Sequence, residues 1–114
     1  MKKESTFQHD LIEELEDLFP GCLVTKMYPY IQGIPDLLIL YKKKWAMLEC
    51  KKSEEDRNDP QPNQEYYVDM LDAMSFASFI YPENKDEVLY ELEQTFCPRR
   101  RSRVYEPKPI KLGK

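Results

Sequence analysis

Apolar positions alternate with polar ones in two distinct rhythms along this chain. Phe7, Leu11, Leu15 and Leu18 recur every three to four residues, with Ile12 and Phe19 beside them, which predicts a helix from about Thr6 to Phe19. Ser5 and Gln8 have the spacing of a capping box, and Pro20-Gly21 stops the helix. Cys22 to Tyr28 reads as a strand, and Pro29 to Pro35 as a loop with Gly33 as its flexible point. Asp36 to Tyr41 and Trp45 to Lys51 are two apolar strands around a Lys42-Lys43-Lys44 turn, and the polar stretch Ser53 to Asn63, with Pro60 and Pro62, reads as a loop. Helical spacing returns from Gln64 to Met74, with Gln64, Tyr67, Val68, Leu71 and Met74 on one face. Phe76 to Tyr81 predicts a fourth strand. A last helix follows, with Asn84 and Glu87 as a capping pair and Val88, Leu89, Leu92 and Phe96 facing the core. The order is α-β-β-β-α-β-α, an α/β chain with one sheet flanked by helices.

The two central strands can be placed in register. If Asp36 faces Glu49, the turn centres between Lys42 and Lys43, where the sequence independently puts it. Glu49 and Lys51 then share a side of their strand and Asp36 joins them across the pair, so two carboxylates and an ammonium converge at the strand ends. Such carboxylates repel and tend to hold a proton between them. A divalent cation removes that conflict, and Mg²⁺ (or Mn²⁺) takes carboxylates, water and substrate phosphate as ligands. The backbone carbonyl of Cys50 is a further candidate ligand. The bland reading of each motif by itself is structural: Glu-x-Lys occurs at many strand edges, and Pro-Asp in many turns. What distinguishes them here is charge placed at the ends of otherwise apolar strands, where it needs a partner or a cation.

Composition narrows the setting. With 114 residues, 41% hydrophobic and 33% charged, the chain suits one globular domain. Its apolar runs are too short to span a bilayer, and its charged N-terminus lacks a signal-peptide pattern, so a cytoplasmic protein is expected. Cys22, Cys50 and Cys97 match no zinc spacing and fit a reducing compartment. His9 is the sole histidine and reads as an exposed helical residue, so hydrolytic chemistry would rest on carboxylates and lysines. The net charge of −4 is uneven: from Pro98 to Lys114 seven basic residues meet only Glu106, a charge of +6, which leaves −10 on residues 1–97. The expected division is a domain over 1–97 and a basic tail over 98–114. Arg99, Arg100, Arg101 and Arg103 in that tail either bind DNA phosphates or are simply solvated.

Gly33-Ile34-Pro35-Asp36 and Glu49-Cys50-Lys51, inside an α-β-β-β-α-β frame, resemble the PD-(D/E)XK nuclease superfamily, over about residues 4–96. The likeness is greatest to small phage VRR-NUC-type nucleases and archaeal-type Holliday junction resolvases. It implies a restriction-endonuclease-like core, with Asp36 and Glu49 binding metal and Lys51 assisting catalysis. It also implies a helix-start glutamine in the active site with a following aromatic, matched by Gln64 as a catalytic-site residue and by Tyr67. By its helical spacing Tyr67 is expected in the core whether or not the resemblance holds. Many members use an acid on the first helix as well. Glu4 is the candidate, although the capping box would leave it just outside the helix; Gln8 is uncharged, and Glu13 and Glu14 belong to a solvated face. The function implied is Mg²⁺-dependent hydrolysis of DNA phosphodiesters, on branched or duplex DNA, by a homodimer in phage or mobile-element recombination or repair. Two other classes stay open: a binding module on the same fold that does not cut, and an inhibitor of a host defence system whose acidic body meets a basic partner.

Overall fold

The computed structural model describes residues 3–98. Its elements are α1 (Glu4–Leu18), β1 (Leu23–Lys26), β2 (Leu37–Tyr41), β3 (Lys44–Cys50), α2 (Glu54–Arg57), α3 (Gln64–Met74), β4 (Ala77–Ile80) and α4 (Lys85–Phe96). Among the described residues no helix is long and apolar enough to cross a membrane. The four strands form one mixed sheet in the order β1-β2-β3-β4. The first three are antiparallel neighbours, and β4 runs parallel to β3, reached through the crossover that contains α3.

The register of the central hairpin agrees with the one read from the sequence. Leu37 faces Leu48 and Tyr41 faces Lys44, leaving Lys42-Lys43 as the turn. Lys42 takes a positive φ of 57° to make that turn. Period-two alternation then sorts the side chains. Leu37, Ile39, Tyr41, Ala46, Leu48 and Cys50 enter one core with Phe7, Leu11 and Leu15 of α1 and Val88, Leu92 and Phe96 of α4. Met47 enters a second, smaller core with Val68 of α3 and with Ala77 and Phe79, where Leu38, Trp45 and Leu71 pack partly buried. Helices thus cover both faces, which is why β3 is buried from Ala46 to Cys50. A fully buried side chain such as Leu48 contributes about 1.5–3 kcal/mol by leaving water.

Several local expectations are corrected. The first helix starts at Glu4 after an N-cap at Lys3 that makes no side-chain cap bond, so Ser5 lies inside the helix and the Ser5–Gln8 box is not formed. Asn84 is the α4 N-cap but also lacks the expected cap bond. Its amide instead ties down the β4–α4 turn, accepting from the Tyr81 N–H at 2.8 Å and donating to the Phe79 carbonyl at 3.1 Å. The first strand is shorter than predicted, and Met74 is exposed while Tyr67 is only half-buried, because just one narrow stripe of α3 meets the sheet. Lys44, expected in the turn, is the first residue of β3 and pairs with Tyr41. Its ammonium donates to the carbonyls of Thr95 (3.1 Å) and Phe96 (3.4 Å), capping α4, which has no basic residue in its own last turn. All three cysteines are free thiols.

Candidate functional site

The ends of β2 and β3 assemble the site. Asp36 follows the buried Pro35 and immediately precedes β2. Its carbonyl accepts from the Met27 N–H at 2.7 Å, and its carboxylate Oδ2 accepts from the Cys50 N–H at 3.1 Å. The backbone of the neighbouring strand therefore fixes the Asp36 side chain beside Glu49. Glu49 lies on the α3 face, 3% exposed. Gln64, the first residue of α3, donates its Nε2 to Glu49 Oε2 at 2.9 Å. The other oxygen, Oε1, is buried and makes no hydrogen bond of good geometry, although the N–H and carboxyl of Asp36 lie close enough to act on the Glu49 carboxyl. Lys51, 6% exposed, continues from β3 with its N–H on the Ile80 carbonyl.

Glu4 reaches the same place from the other side of the sheet. As the first residue of α1 it is half-buried, and its carboxylate interacts electrostatically with Asp36 and Lys51. The expectation that Glu4 lies outside the helix is corrected, because without the capping box the helix begins at Glu4 itself rather than after Ser5. Gln8, one turn on, hydrogen-bonds toward Cys50 instead.

The electrostatics follow from burial and crowding. Loss of water pushes the Glu49 carboxyl up to about 8, and the Asp36 carboxylate adds to this while the Lys51 ammonium opposes it. Asp36 is raised as well, again by burial first, against the bonding from the Cys50 N–H and the charge of Lys51. Glu4 is raised by burial and then by Asp36. Burial also raises the Cys50 thiol, whose side chain is fully enclosed in the core on the opposite face. Cys50 can therefore offer the site only its carbonyl.

No protein-family model, curated protein or solved structure matches this chain. Among the described residues, the acidic and histidine ligand atoms drawn together within 4.8 Å are those of His9, Asp10 and Glu13. That group could hold a metal ion. It lies on the exposed side of α1, where the His9 ring nitrogens stand 3.6 Å from the Asp10 carboxylate and 3.9 Å from that of Glu13. Exposed pairs of this kind contribute little to stability. Glu4, Asp36 and Glu49 act on one another at one sheet end, but their ligand oxygens do not all lie within that spacing. Their setting differs in being buried, beside a lysine, with one carboxylate oxygen lacking a hydrogen bond of good geometry.

Two features of the site were missed in the sequence. The stretch read as a loop contains α2, where Ser53 Oγ accepts from the Asp56 N–H at 3.1 Å. Ser53-Glu54-Glu55-Asp56 is a helix-start signature that could have revealed it. Arg57 of α2 then lies 4.0 Å over the Phe79 ring and bonds Glu65 at 3.0 Å, bracing the start of α3. The second feature is tertiary. Gly33, at φ 93°, abuts Asn63, the left-handed N-cap of α3, so closely that a Cβ would lie 2.7 Å from the Asn63 carbonyl carbon. Gly33→Ala is therefore expected to lower stability in urea by about 1–3 kcal/mol. It should also weaken the hold of Gln64 on Glu49. An unchanged urea midpoint would show that the loop yields freely. Arg99, Arg100, Arg101 and Arg103 lie outside the described residues.

Proposed function

We propose that this protein is a metal-dependent DNA endonuclease of restriction-endonuclease-like fold, hydrolysing phosphodiesters at the site of Asp36, Glu49 and Lys51. The observation that carries the proposal is the buried Glu49 carboxylate, with one oxygen held by Gln64 and the other without a hydrogen bond of good geometry, next to Asp36, Glu4 and Lys51. A buried carboxylate oxygen in that state is costly unless something binds it. Hard oxygen donors of this kind suit Mg²⁺ or Mn²⁺. Asp36, Glu49 and the Cys50 carbonyl would hold the ion, with Glu4 as a further ligand directly or through water. When bound, the ion supplies polarisation of the scissile phosphate and a more acidic attacking water.

The chain's own residues do the rest. Lys51 neutralises charge that builds up on the phosphate oxygens, from a position already desolvated. Gln64 keeps Glu49 in one rotamer by joining it to α3, and Gln64 is itself held by the Gln61 N–H donating to its Oε1 at 2.9 Å. A binding module that does not cut would be favoured by the lack of an acid on the first helix, and the position of Glu4 removes much of that support. A domain of this size offers little surface for a branched duplex, which favours a homodimer with two sites. A role in phage or mobile-element recombination or repair fits that reading.

The test is a plasmid-nicking and branched-DNA assay with Mg²⁺ or Mn²⁺, paired with Mn²⁺ calorimetry. Cutting that requires the metal, with measurable Mn²⁺ binding, supports the proposal; tight DNA binding with no cutting at any metal concentration overturns it. The basic tail has a separate expectation. Truncation after Cys97 should weaken DNA binding chiefly at low salt. The dependence of log affinity on log salt should become shallower by about 0.9 for each phosphate that the tail no longer neutralises. An unchanged slope would assign the tail no part in binding.

A further inference from the structure

Three tyrosines are exposed on the segments that adjoin the site: Tyr28 at 69%, Tyr30 at 88% and Tyr66 at 62%. Large aromatic rings are normally placed where they remove apolar area from water, so several together in the open call for a partner. Their placement relative to the site is set by the chain. Tyr28 directly follows Met27, whose N–H bonds the Asp36 carbonyl. The loop that continues through Tyr30 packs Gly33 against Asn63, the N-cap of α3. Tyr66 lies two residues beyond Gln64, which holds Glu49. Tyr28 and Tyr30 are in ring contact at 4.7 Å, and Tyr66 and Tyr67 at 5.0 Å. Both aromatic pairs therefore lie on segments that adjoin the carboxylate end of the sheet, one on the loop before β2 and one on the first turn of α3.

We infer that these pairs form stacking platforms for unpaired nucleobases, so that the strand presented to Asp36, Glu49 and Lys51 is single-stranded DNA or a single-stranded branch. This deepens the nuclease reading and rests on it for the cutting step. Tyrosine faces bind bases by stacking without regard to sequence, and they need bases that are not already stacked in a duplex. Charge opposes a duplex more strongly than a single strand. Residues 1–97 carry −10, a poor surface for a duplex that brings one phosphate charge for about every 1.7 Å of axis. A single strand has a lower charge density and exposes base faces, which the tyrosines can use without a cationic groove.

The experiment is fluorescence anisotropy of the full-length protein with a labelled oligothymidylate and with a blunt duplex of equal length, in EDTA and at high salt. Those conditions stop cutting and screen attraction by the tail. The wild type should bind the single strand more tightly than the duplex. Tyr30→Leu with Tyr66→Leu should weaken single-strand binding by roughly tenfold or more, and the matching Phe variants should restore it. Duplex binding should not change. Equal single-strand affinity in the Leu variant, or an equal fall for the duplex, overturns the inference. Cleavage that proceeds indifferently to these tyrosines would also overturn it while leaving the nuclease intact. Strand binding that depends on them, in a protein that never cuts, would uphold the inference and overturn the nuclease.

Discussion

Asp36→Ala and Lys51→Ala are each expected to reduce metal-dependent DNA cleavage by about 100-fold to 1,000-fold while leaving the protein folded. The two substitutions act differently. Asp36 supplies an oxygen that the Cys50 N–H already orients, so its loss removes a preorganised ligand and one hydrogen bond, the latter costing roughly 1 kcal/mol. That cost is partly offset, because Asp36 is also one of the charges raising Glu49. Lys51 is the cation that acts on Glu4, Asp36 and Glu49 together. Its removal leaves three carboxylates with less to balance them, so Lys51→Ala should bind Mn²⁺ yet turn over slowly, whereas Asp36→Ala should lose Mn²⁺ affinity itself. Calorimetry and nicking on the same preparations separate the two. Lys51→Met keeps most of the side-chain volume and serves as the control for folding. Wild-type rates in both alanine variants would remove the site from the chemistry.

Glu49→Gln is expected to stabilise the metal-free protein at pH 8 and to abolish its stabilisation by Mn²⁺. The folded-state value of Glu49, about 8, lies above its ordinary 4.5, so the folded state binds a proton that the unfolded chain has released. The stability linked to that proton is complete below about pH 4.5 and is lost as pH rises through the folded value near 8. Within that window the metal-free wild type should lose up to about 1.4 kcal/mol per pH unit from this group. Glutamine keeps an oxygen for the Gln64 Nε2 but does not titrate, so the difference between wild type and variant should be small at pH 5 and large at pH 8. At a Mn²⁺ concentration of about 100 times Kd, a binding site adds roughly 2.7 kcal/mol. Wild type at pH 8 should gain this and Glu49→Gln should not. Asp36 and Glu4 shift in the same direction but are present in both proteins. Urea melts at the two pH values, with and without Mn²⁺, measure all four quantities; parallel curves would show that Glu49 neither holds a proton nor binds metal.

Local pattern was enough for a good part of this protein. The span of α3, Gln64 to Met74, follows from helical spacing alone. The register of β2 and β3 follows from the lysine turn together with alternation on both sides of it. That register by itself put Asp36, Glu49 and Lys51 together and sent Cys50 to the opposite face, because a strand's side-chain period of two leaves no other arrangement. Capping was less legible. Ser5 and Asn84 are good cap residues by type, yet neither makes its cap bond, since a cap is decided by where the helix ends in space as well as by who stands nearby.

What no local signal carried are the contacts between residues far apart in the chain. Glu4 joins the site only because α1 packs on the far face of the sheet with its N-terminus at the ends of β2 and β3. Lys44 caps α4, Gly33 seats the N-cap of α3, and Gln64 finds Glu49 for the same kind of reason. The sequence by itself determined which residues could bear the chemistry and which side of a strand they occupy. Only the tertiary structure decided that Glu49 is buried with one oxygen lacking a hydrogen bond of good geometry, because burial depends on what two other elements, α3 and the crossover before it, lay across that strand.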